Sequence, residues 1–241
     1  MKFQNILITV FLFLIVSNSN AQNWWKRSIR GEGPVVSRIV DLAPFDGVKS
    51  GFSCDIILTQ GPNQKVEIEG QENILDNLRF DVDAGVLRIK YDRMVRRAEN
   101  VKVYITIPKL TVATVSGSGD METTNRFTGL DELEVGVSGS GDLDLDIEAR
   151  YVYGKVSGSG DIDLEGRTDR LEVSISGSGG MDADDLTSNI CEVSVSGSGG
   201  ATVYAREAIN ARVSGSGSIK YKGNPAQVTS KVSGSGGIRA L

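Results

Sequence analysis

The tetrapeptide Ser-Gly-Ser-Gly recurs seven times in the second half of this 241-residue chain. Near-constant spacing of this kind predicts a repeat architecture in which each copy forms one structural unit. The copies begin at Ser116, Ser138, Ser157, Ser176, Ser196, Ser214 and Ser233, at intervals of 22, 19, 19, 20, 18 and 19 residues.

Within each copy, apolar and polar residues alternate strictly. Around Ser157, for example, Val152, Val156, Ile162 and Leu164 share one face of an extended chain, and a period of two indicates a strand. One such strand cannot bury its own apolar face, whereas stacked copies can. We therefore predict an all-β fold: a β-solenoid, similar to a parallel β-helix, built of Gly-rich rungs of about 19 residues with an N-terminal β head.

A meander of hairpins is the structural alternative. Hairpins favour Asn-Gly or Asp-Gly turns, and the expected connectors, such as residues 165–169 and 184–189, mostly lack them. The chain contains 29 Gly, and the paired glycines of the repeat fall on the apolar face. We interpret them as two inward columns that let the chain bend sharply and let opposite walls approach.

The rest of the chain suggests four segments. An apolar run over residues 6–16, followed by Ser19-Asn20-Ala21, predicts a signal peptide over residues 1–21 that is cleaved after Ala21, and so an exported protein in the periplasm, at the outer membrane or on the cell surface. Residues 22–38 are interpreted as a lead-in and 39–112 as an N-terminal β region. The seven-copy solenoid follows at 113–241, and no segment of the mature chain is apolar enough to span a membrane.

Residues 48–58 look like a degenerate copy of the repeat. With one inserted position, Ser50, Gly51, Ser53 and Asp55 align with the Ser-Gly-Ser-Gly-Asp segment that begins at Ser157.

Composition excludes several classes of function. The chain has no His, so His-based triads and imidazole metal sites are excluded. A net charge of -5 argues against a nucleic-acid partner. The two cysteines, Cys54 and Cys191, fall on apolar faces of predicted strands, and we expect them to be buried and unpaired, although export permits a disulfide. We predict no catalytic residue, no metal and no cofactor.

The outward side of the repeats is the candidate interaction face. Its residues form polar ladders that could bind a glycan or a protein surface, although small polar residues can also simply solvate a turn. The candidate residues are Ser138, Ser140, Asp142, Asp144, Ser157, Ser159, Asp161 and Asp163.

Two alternatives use the same carboxylates. A carbohydrate-active enzyme would need an acid and base pair among Asp142, Asp144, Asp161 and Asp163. A calcium-binding repeat protein would need ligands at a nine-residue period, whereas these aspartates recur near nineteen. Because the chain stops inside its seventh copy, we also expect an open edge at the C-terminal end of the solenoid that pairs with another chain in a homo-oligomer.

Several segments together resemble a known family. They are Phe45-Asp46-Gly47-Val48, Asp55-Ile56-Ile57-Leu58-Thr59-Gln60-Gly61, Val66-Glu67-Ile68-Glu69-Gly70, Gly85-Val86-Leu87-Arg88-Ile89 and the Ser-Gly-Ser-Gly-Asp rungs. The pattern, over roughly residues 40 to 235, is similar to the autotransporter adhesin head domain family, first catalogued as a domain of unknown function in secreted proteins of Bacteroidetes. The resemblance implies an exported, all-β, repeat-built protein and brings no catalytic motif.

Overall fold

The computed structural model describes residues 28–241, and the predicted signal peptide lies outside these residues. The described part folds into nineteen strands and one short helix. The N-terminal elements are β1 (Ile29–Arg30), β2 (Val35–Ile39), β3 (Gly47–Ser50), β4 (Asp55–Gln60), β5 (Lys65–Gln71), α1 (Glu72–Leu75), β6 (Leu78–Asp83), β7 (Val86–Tyr91), β8 (Val95–Arg97) and β9 (Lys102–Ile107).

The repeats contribute the remaining, mostly longer strands. These are β10 (Val112–Val115), β11 (Met121–Thr123), β12 (Phe127–Val137), β13 (Leu143–Val156), β14 (Ile162–Ile175), β15 (Gly180–Gly197), β16 (Gly200–Gly215), β17 (Ser218–Lys222), β18 (Gln227–Gly234) and β19 (Gly237–Ala240). Consecutive copies pair in parallel and in register, for example Val137 with Val156 and Val156 with Ile175. The prediction of a β-solenoid is confirmed, with about seven turns.

Each turn has two long sides that meet at the Ser-Gly-Ser-Gly segment, which we call the glycine corner. In the third copy, side A is residues 152–156 before the corner and side B is residues 162–165 after it. The predicted inward residues of both sides are buried. At a strand spacing of about 4.8 Å, seven turns form a stack about 30 Å long.

A short side, residues 166–169 in the third copy, closes each turn. The sequence predicted connectors at 165–169 and 184–189, and this is wrong: both segments lie inside the long strands β14 and β15. They pair with each other, Glu165 with Asp185 and Thr168 with Ser188, and the pairing register shifts between Asp163 and Glu165. The same short side in β13 pairs with β14 without a register shift, for example Asp146 with Glu165 and Ala149 with Thr168. The chain therefore changes direction while its strand pairing continues.

Apart from β1 and β8, which pair as a separate two-stranded sheet, the strands of the head belong to the same sheet as the repeats, but their turns are not stacked in chain order. The turn formed by β3 and β4 pairs on one side with β7 and β9 and on the other with β10 and β11. Antiparallel strands then close this end of the stack: β6 pairs with β7, and β5 lies between β9 and β2.

The turn of β3 and β4 also corrects the alignment of the degenerate copy. Ser50 pairs with Val115, and Ile56 pairs with Met121. Gly51 therefore corresponds to Ser116 and Asp55 to Asp120, with no insertion, and Phe52 and Cys54 stand where the repeats have their two glycines.

One hydrophobic core runs through the head and the repeats. Cys54 and Cys191 lie in it, both buried and unpaired. Burial raises the pKa of the Cys54 thiol to about 12 and that of Cys191 to about 11, against smaller opposing effects from hydrogen bonds with Ser50 and Ser188 respectively.

Candidate functional site

The glycine corner is held by backbone hydrogen bonds between turns. The carbonyl oxygen of Gly139 accepts the N–H of Ser159 at 2.9 Å and the N–H of Gly160 at 3.2 Å. The same double acceptance recurs one turn on, where the carbonyl oxygen of Gly158 takes the N–H groups of Ser178 and Gly179, both at 3.1 Å. The corner is thus a structural column that leaves its side chains outside.

The reason for the glycines differs from the sequence interpretation. A Cβ added to Gly158 would lie 2.0 Å from the carbonyl oxygen of Gly139, and one on Gly177 would lie 2.1 Å from that of Gly158. The nearest obstacle is the backbone of the preceding turn, not the opposite wall. Glycine is required because the turns stack closely along the solenoid axis.

The structure places all eight predicted interaction residues on the exposed surface. Their serines form two columns along the corner, Ser138 with Ser157 and Ser140 with Ser159. The hydroxyl groups of these four serines have no hydrogen-bond partner among residues 28–241. A ligand at the corner would therefore find unoccupied donors and acceptors at regular spacing.

The aspartates that directly follow the glycine corners, which we call the first aspartate column, accept hydrogen bonds within the fold. The Asp120 carboxylate accepts the backbone N–H of Asp142 at 3.0 Å, Asp142 accepts that of Asp161 at 2.8 Å, and Asp161 accepts that of Gly180 at 2.5 Å. Each carboxylate thus ties its own turn to the next one. A charge-assisted hydrogen bond of this kind is stronger than one between neutral groups, so these aspartates have a structural role.

The aspartates two positions later form a second aspartate column on side B, where like charges lie next to one another. Asp144 pairs in register with Asp163, and Asp163 with Asp182. Partial burial, and then the charges of Asp144 and Asp182, raise the pKa of Asp163 above its ordinary value. Like charges directly opposite each other on neighbouring strands are destabilising, so this column is not explained by stability.

The sign of the charge changes along this same column. Acidic residues occupy the earlier turns and basic residues the last two, with a threonine between them. In register order the column is Glu122, Asp144, Asp163, Asp182, Thr202, Lys220 and Arg239. Side B therefore presents a flat, exposed surface that is negative towards the head and positive towards the C-terminal turns.

Within residues 28–241, no three acidic or cysteine side chains are grouped so that they could hold a metal ion. The calcium alternative therefore has no candidate ligand cluster in this part of the chain. Of the four carboxylates of the enzyme alternative, Asp144 and Asp163 pair in register on side B, and Asp142 and Asp161 belong to the column that links neighbouring turns.

Sequence reasoning missed two grooves beside the short side. One, of about 920 Å³, follows the short side across several turns and is lined mainly by charged residues of both signs. Arg167 donates to Glu148 there at 2.6 Å, and Arg126 pairs with Asp146. The second, of about 620 Å³, lies where the short side meets side A and contains Tyr151 and Tyr153. Neither groove leaves a periodic signal in the sequence.

A comparison with known protein families identifies the family of this chain. The family described as "putative auto-transporter adhesin, head GIN domain" matches residues 44–225 of the chain. The chain belongs to this adhesin head family. The resemblance predicted from its sequence segments is thereby confirmed. No curated protein matches the chain.

Solved structures agree with this assignment. A "putative adhesin" from Bacteroides fragilis is 28% identical, with a TM-score of 0.84 over 89% of this chain and 100% of that one. A "putative lipid binding protein" from Parabacteroides distasonis is 24% identical, with a TM-score of 0.74 and the same coverage, and supports the fold alone. A "putative adhesin" from Parabacteroides merdae is 21% identical, with a TM-score of 0.67 over 89% of this chain and 99% of that one.

The adhesin-like family and its Bacteroidetes relatives indicate a secreted or cell-surface protein. Within residues 28–241, no helix has the length and apolar character needed to span a membrane.

Proposed function

We propose that this chain is a non-enzymatic, exported binding module that holds a glycan or protein ligand against the outer face of its solenoid. In this proposal, residues 1–21 are a cleaved signal peptide and 22–38 a lead-in. Residues 39–112 close one end of the solenoid, which is formed by 113–241. The mature protein acts in the periplasm, at the outer membrane or on the cell surface.

The observation that carries the proposal is the exposed face at the glycine corner. The Ser138, Ser140, Ser157 and Ser159 hydroxyls have no partner within residues 28–241, and the carboxylates of Asp144 and Asp163 stand beside them on side B. With Asp142 and Asp161, they form a polar surface that repeats at about 4.8 Å. Such a surface suits a flat or extended ligand that contacts several turns at once.

Regularity also supports a binding role over catalysis. Catalytic sites usually interrupt the local pattern of a fold, whereas Asp144 and Asp163 continue a ladder that runs from Glu122 to Asp182. The family is adhesin-like and brings no enzymatic motif.

Adhesion measured with matched variants tests this function. Labelled purified protein is added to whole bacterial and host cells, and retention is compared among wild type, the S157A/S159A pair and the S174A/S194A pair, which lies on side A. Loss of retention in the corner pair alone supports the corner face. Equal retention in all three proteins places binding elsewhere, and no retention by wild type rejects the adhesive function.

We further propose that the last turn pairs with a second copy of the chain. Val228 and Val232 on β18 are 49% and 45% exposed, whereas Val213, the register partner of Val232 one turn earlier, is 2% exposed. Light scattering over a wide concentration range tests this pairing, which predicts a dimer that a charged substitution at Val232 dissociates. A monomer at every concentration would reject it.

A further inference from the structure

Tyr153 is an exposed aromatic ring in the middle of side A. It is 37% exposed, and its register partners on the neighbouring turns are Glu134 and Glu172. Its hydroxyl has no hydrogen-bond partner within the described residues. The fold therefore presents an aromatic ring between two carboxylates, and neither packing nor internal hydrogen bonding accounts for it.

Tyr151 lies two residues earlier on the same face and is fixed. Its hydroxyl donates to Glu172 Oε2 at 3.2 Å. The guanidinium of Arg170 lies 5.8 Å from the centre of its ring and also pairs with Glu192. Tyr151 and Arg170 hold each other in place, so they form a rigid edge beside the exposed ring of Tyr153.

These residues line a groove of about 620 Å³ that crosses three consecutive turns. Three turns span about 10 Å, roughly the length of a disaccharide, and the volume lies within the range of small-ligand sites. The lining residues are Asp131, Glu132, Arg150, Tyr151, Tyr153, Asp169 and Arg170. The groove thus combines an apolar ring face with hydrogen-bond donors and acceptors.

The charges in the groove limit its ligand. Its lining contains the guanidinium groups of Arg150 and Arg170 and the carboxylates of Asp131, Glu132 and Asp169. Both guanidiniums already have acidic partners, at Asp131 and Glu192. An anion would therefore meet three carboxylates and no unpaired guanidinium in the groove.

A neutral sugar fits this chemistry. The C–H groups on one face of a pyranose ring carry partial positive charge and pack against the negative face of an aromatic ring. Its hydroxyls can donate to carboxylates and accept from Arg150. We propose that the groove containing Tyr151 and Tyr153 binds an uncharged hexopyranose oligosaccharide, with one sugar ring stacked on Tyr153. This inference rests on the proposed adhesive function and adds a second site and a ligand class to it.

An oligosaccharide array tests the inference with the full exported chain. The array carries neutral hexose di- to tetrasaccharides, sialylated and sulfated sugars, and a lysine-rich peptide. The proteins are wild type, Tyr153→Ala, Tyr153→Phe, and Tyr204→Ala as a control at a tyrosine on another turn. Thermal unfolding verifies that each variant is folded. Chemical shifts of isotope-labelled tyrosine rings in the wild type report on Tyr153 independently of any variant.

The expected result is binding of neutral sugars, weakened at least tenfold in Tyr153→Ala, retained within about threefold in Tyr153→Phe, and unchanged in Tyr204→Ala. The Tyr153 ring signal should shift on titration with a bound sugar. Unchanged affinity in Tyr153→Ala, an unmoved ring signal, or binding of only the anionic sugars or the peptide would overturn the inference. Wild type that adheres to cells but to no array sugar overturns this inference and leaves the proposed function standing, whereas wild type that adheres to neither rejects both.

Discussion

The turn of β3 and β4 in the head and the repeat turns build the same corner from different residues. The repeats have glycines at two positions, Gly158 and Gly160 for example, where the head turn has Phe52 and Cys54. The neighbouring turn, formed by β7 and β9, has the longer segment 92–100 in place of a corner. There the Phe52 ring packs edge-on against Tyr91, with 4.4 Å between the ring centres. Each repeat corner, in contrast, stacks directly on the backbone of the corner in the preceding turn.

This difference shows what the glycines do. The head turn carries the side chains of Phe52 and Cys54 at the two glycine positions, whereas a Cβ at Gly158 would meet a backbone oxygen at 2.0 Å. The corner itself tolerates side chains, and only close stacking on an identical corner excludes them. The repeated glycine is therefore a consequence of repetition, and polar side chains around it are left free for other roles.

The largest expected effect comes from Gly158→Val. The added side chain overlaps the Gly139 carbonyl, and because backbone cannot move aside cheaply, the free energy of unfolding should fall by at least about 3 kcal/mol. Urea unfolding measures the loss. Ser159→Val, at the exposed position between the two glycines of the same corner, is the matched control, with a change within about 0.5 kcal/mol; equal losses at both positions would refute the stacking explanation.

A smaller effect is expected from Asp142→Ala. The substitution removes the acceptor of the Asp161 N–H, so stability should fall by about 1 kcal/mol. Asp142→Asn keeps an acceptor oxygen and should recover about half of the loss. If the alanine variant is as stable as wild type, the first aspartate column does not link the turns.

Asp163→Asn should act in the opposite direction. The pKa of Asp163 is raised in the folded protein, so its charged form disfavours folding and its protonated form does not. The contribution of Asp163 to the free energy of unfolding is present below the pKa of this group in the unfolded chain, and it is lost as pH rises through the pKa in the folded protein. The variant should therefore be more stable by about 0.2–1 kcal/mol at pH 7, and the gain should disappear below about pH 4. A gain independent of pH would contradict this electrostatic origin.

The smallest expected effect concerns the two thiols. Because burial raises the pKa of Cys54 to about 12 and of Cys191 to about 11, neither should react with iodoacetamide in native protein at pH 8. In denaturant, without reductant, both should react, which mass spectrometry detects as two added groups. Rapid labelling of Cys54 in the native state would show that the head corner opens.

The repeats were predictable from sequence because period and alternation determine which residues face inward. Residues 152–164 alternate without interruption, and parallel stacking is the arrangement that buries every copy equally. The order of the head turns was not predictable, because the position of the β3 and β4 turn between two later ones depends on pairing between distant segments. The connector at 165–169 was missed because the chain bends there without interrupting its strand pairing.

The candidate functional residues also divide into a part that the sequence predicts and a part that it does not. The outward position of Ser157, Ser159 and Asp163 follows from the period of the repeat, and the three residues are exposed in the structure. The groove at Tyr153 carries no such signal, since Tyr151, Tyr153 and Arg170 each occur once among charged residues of changing identity. Only the fold brings them together.

Binding without turnover is the central claim, and one measurement tests it directly. Oligosaccharides that retain the wild-type protein on the array are incubated with it overnight, released and analysed by mass spectrometry. We predict saturable binding and ligands of unchanged mass. Shortened or modified oligosaccharides, or the absence of binding on both the array and whole cells, would contradict the claim.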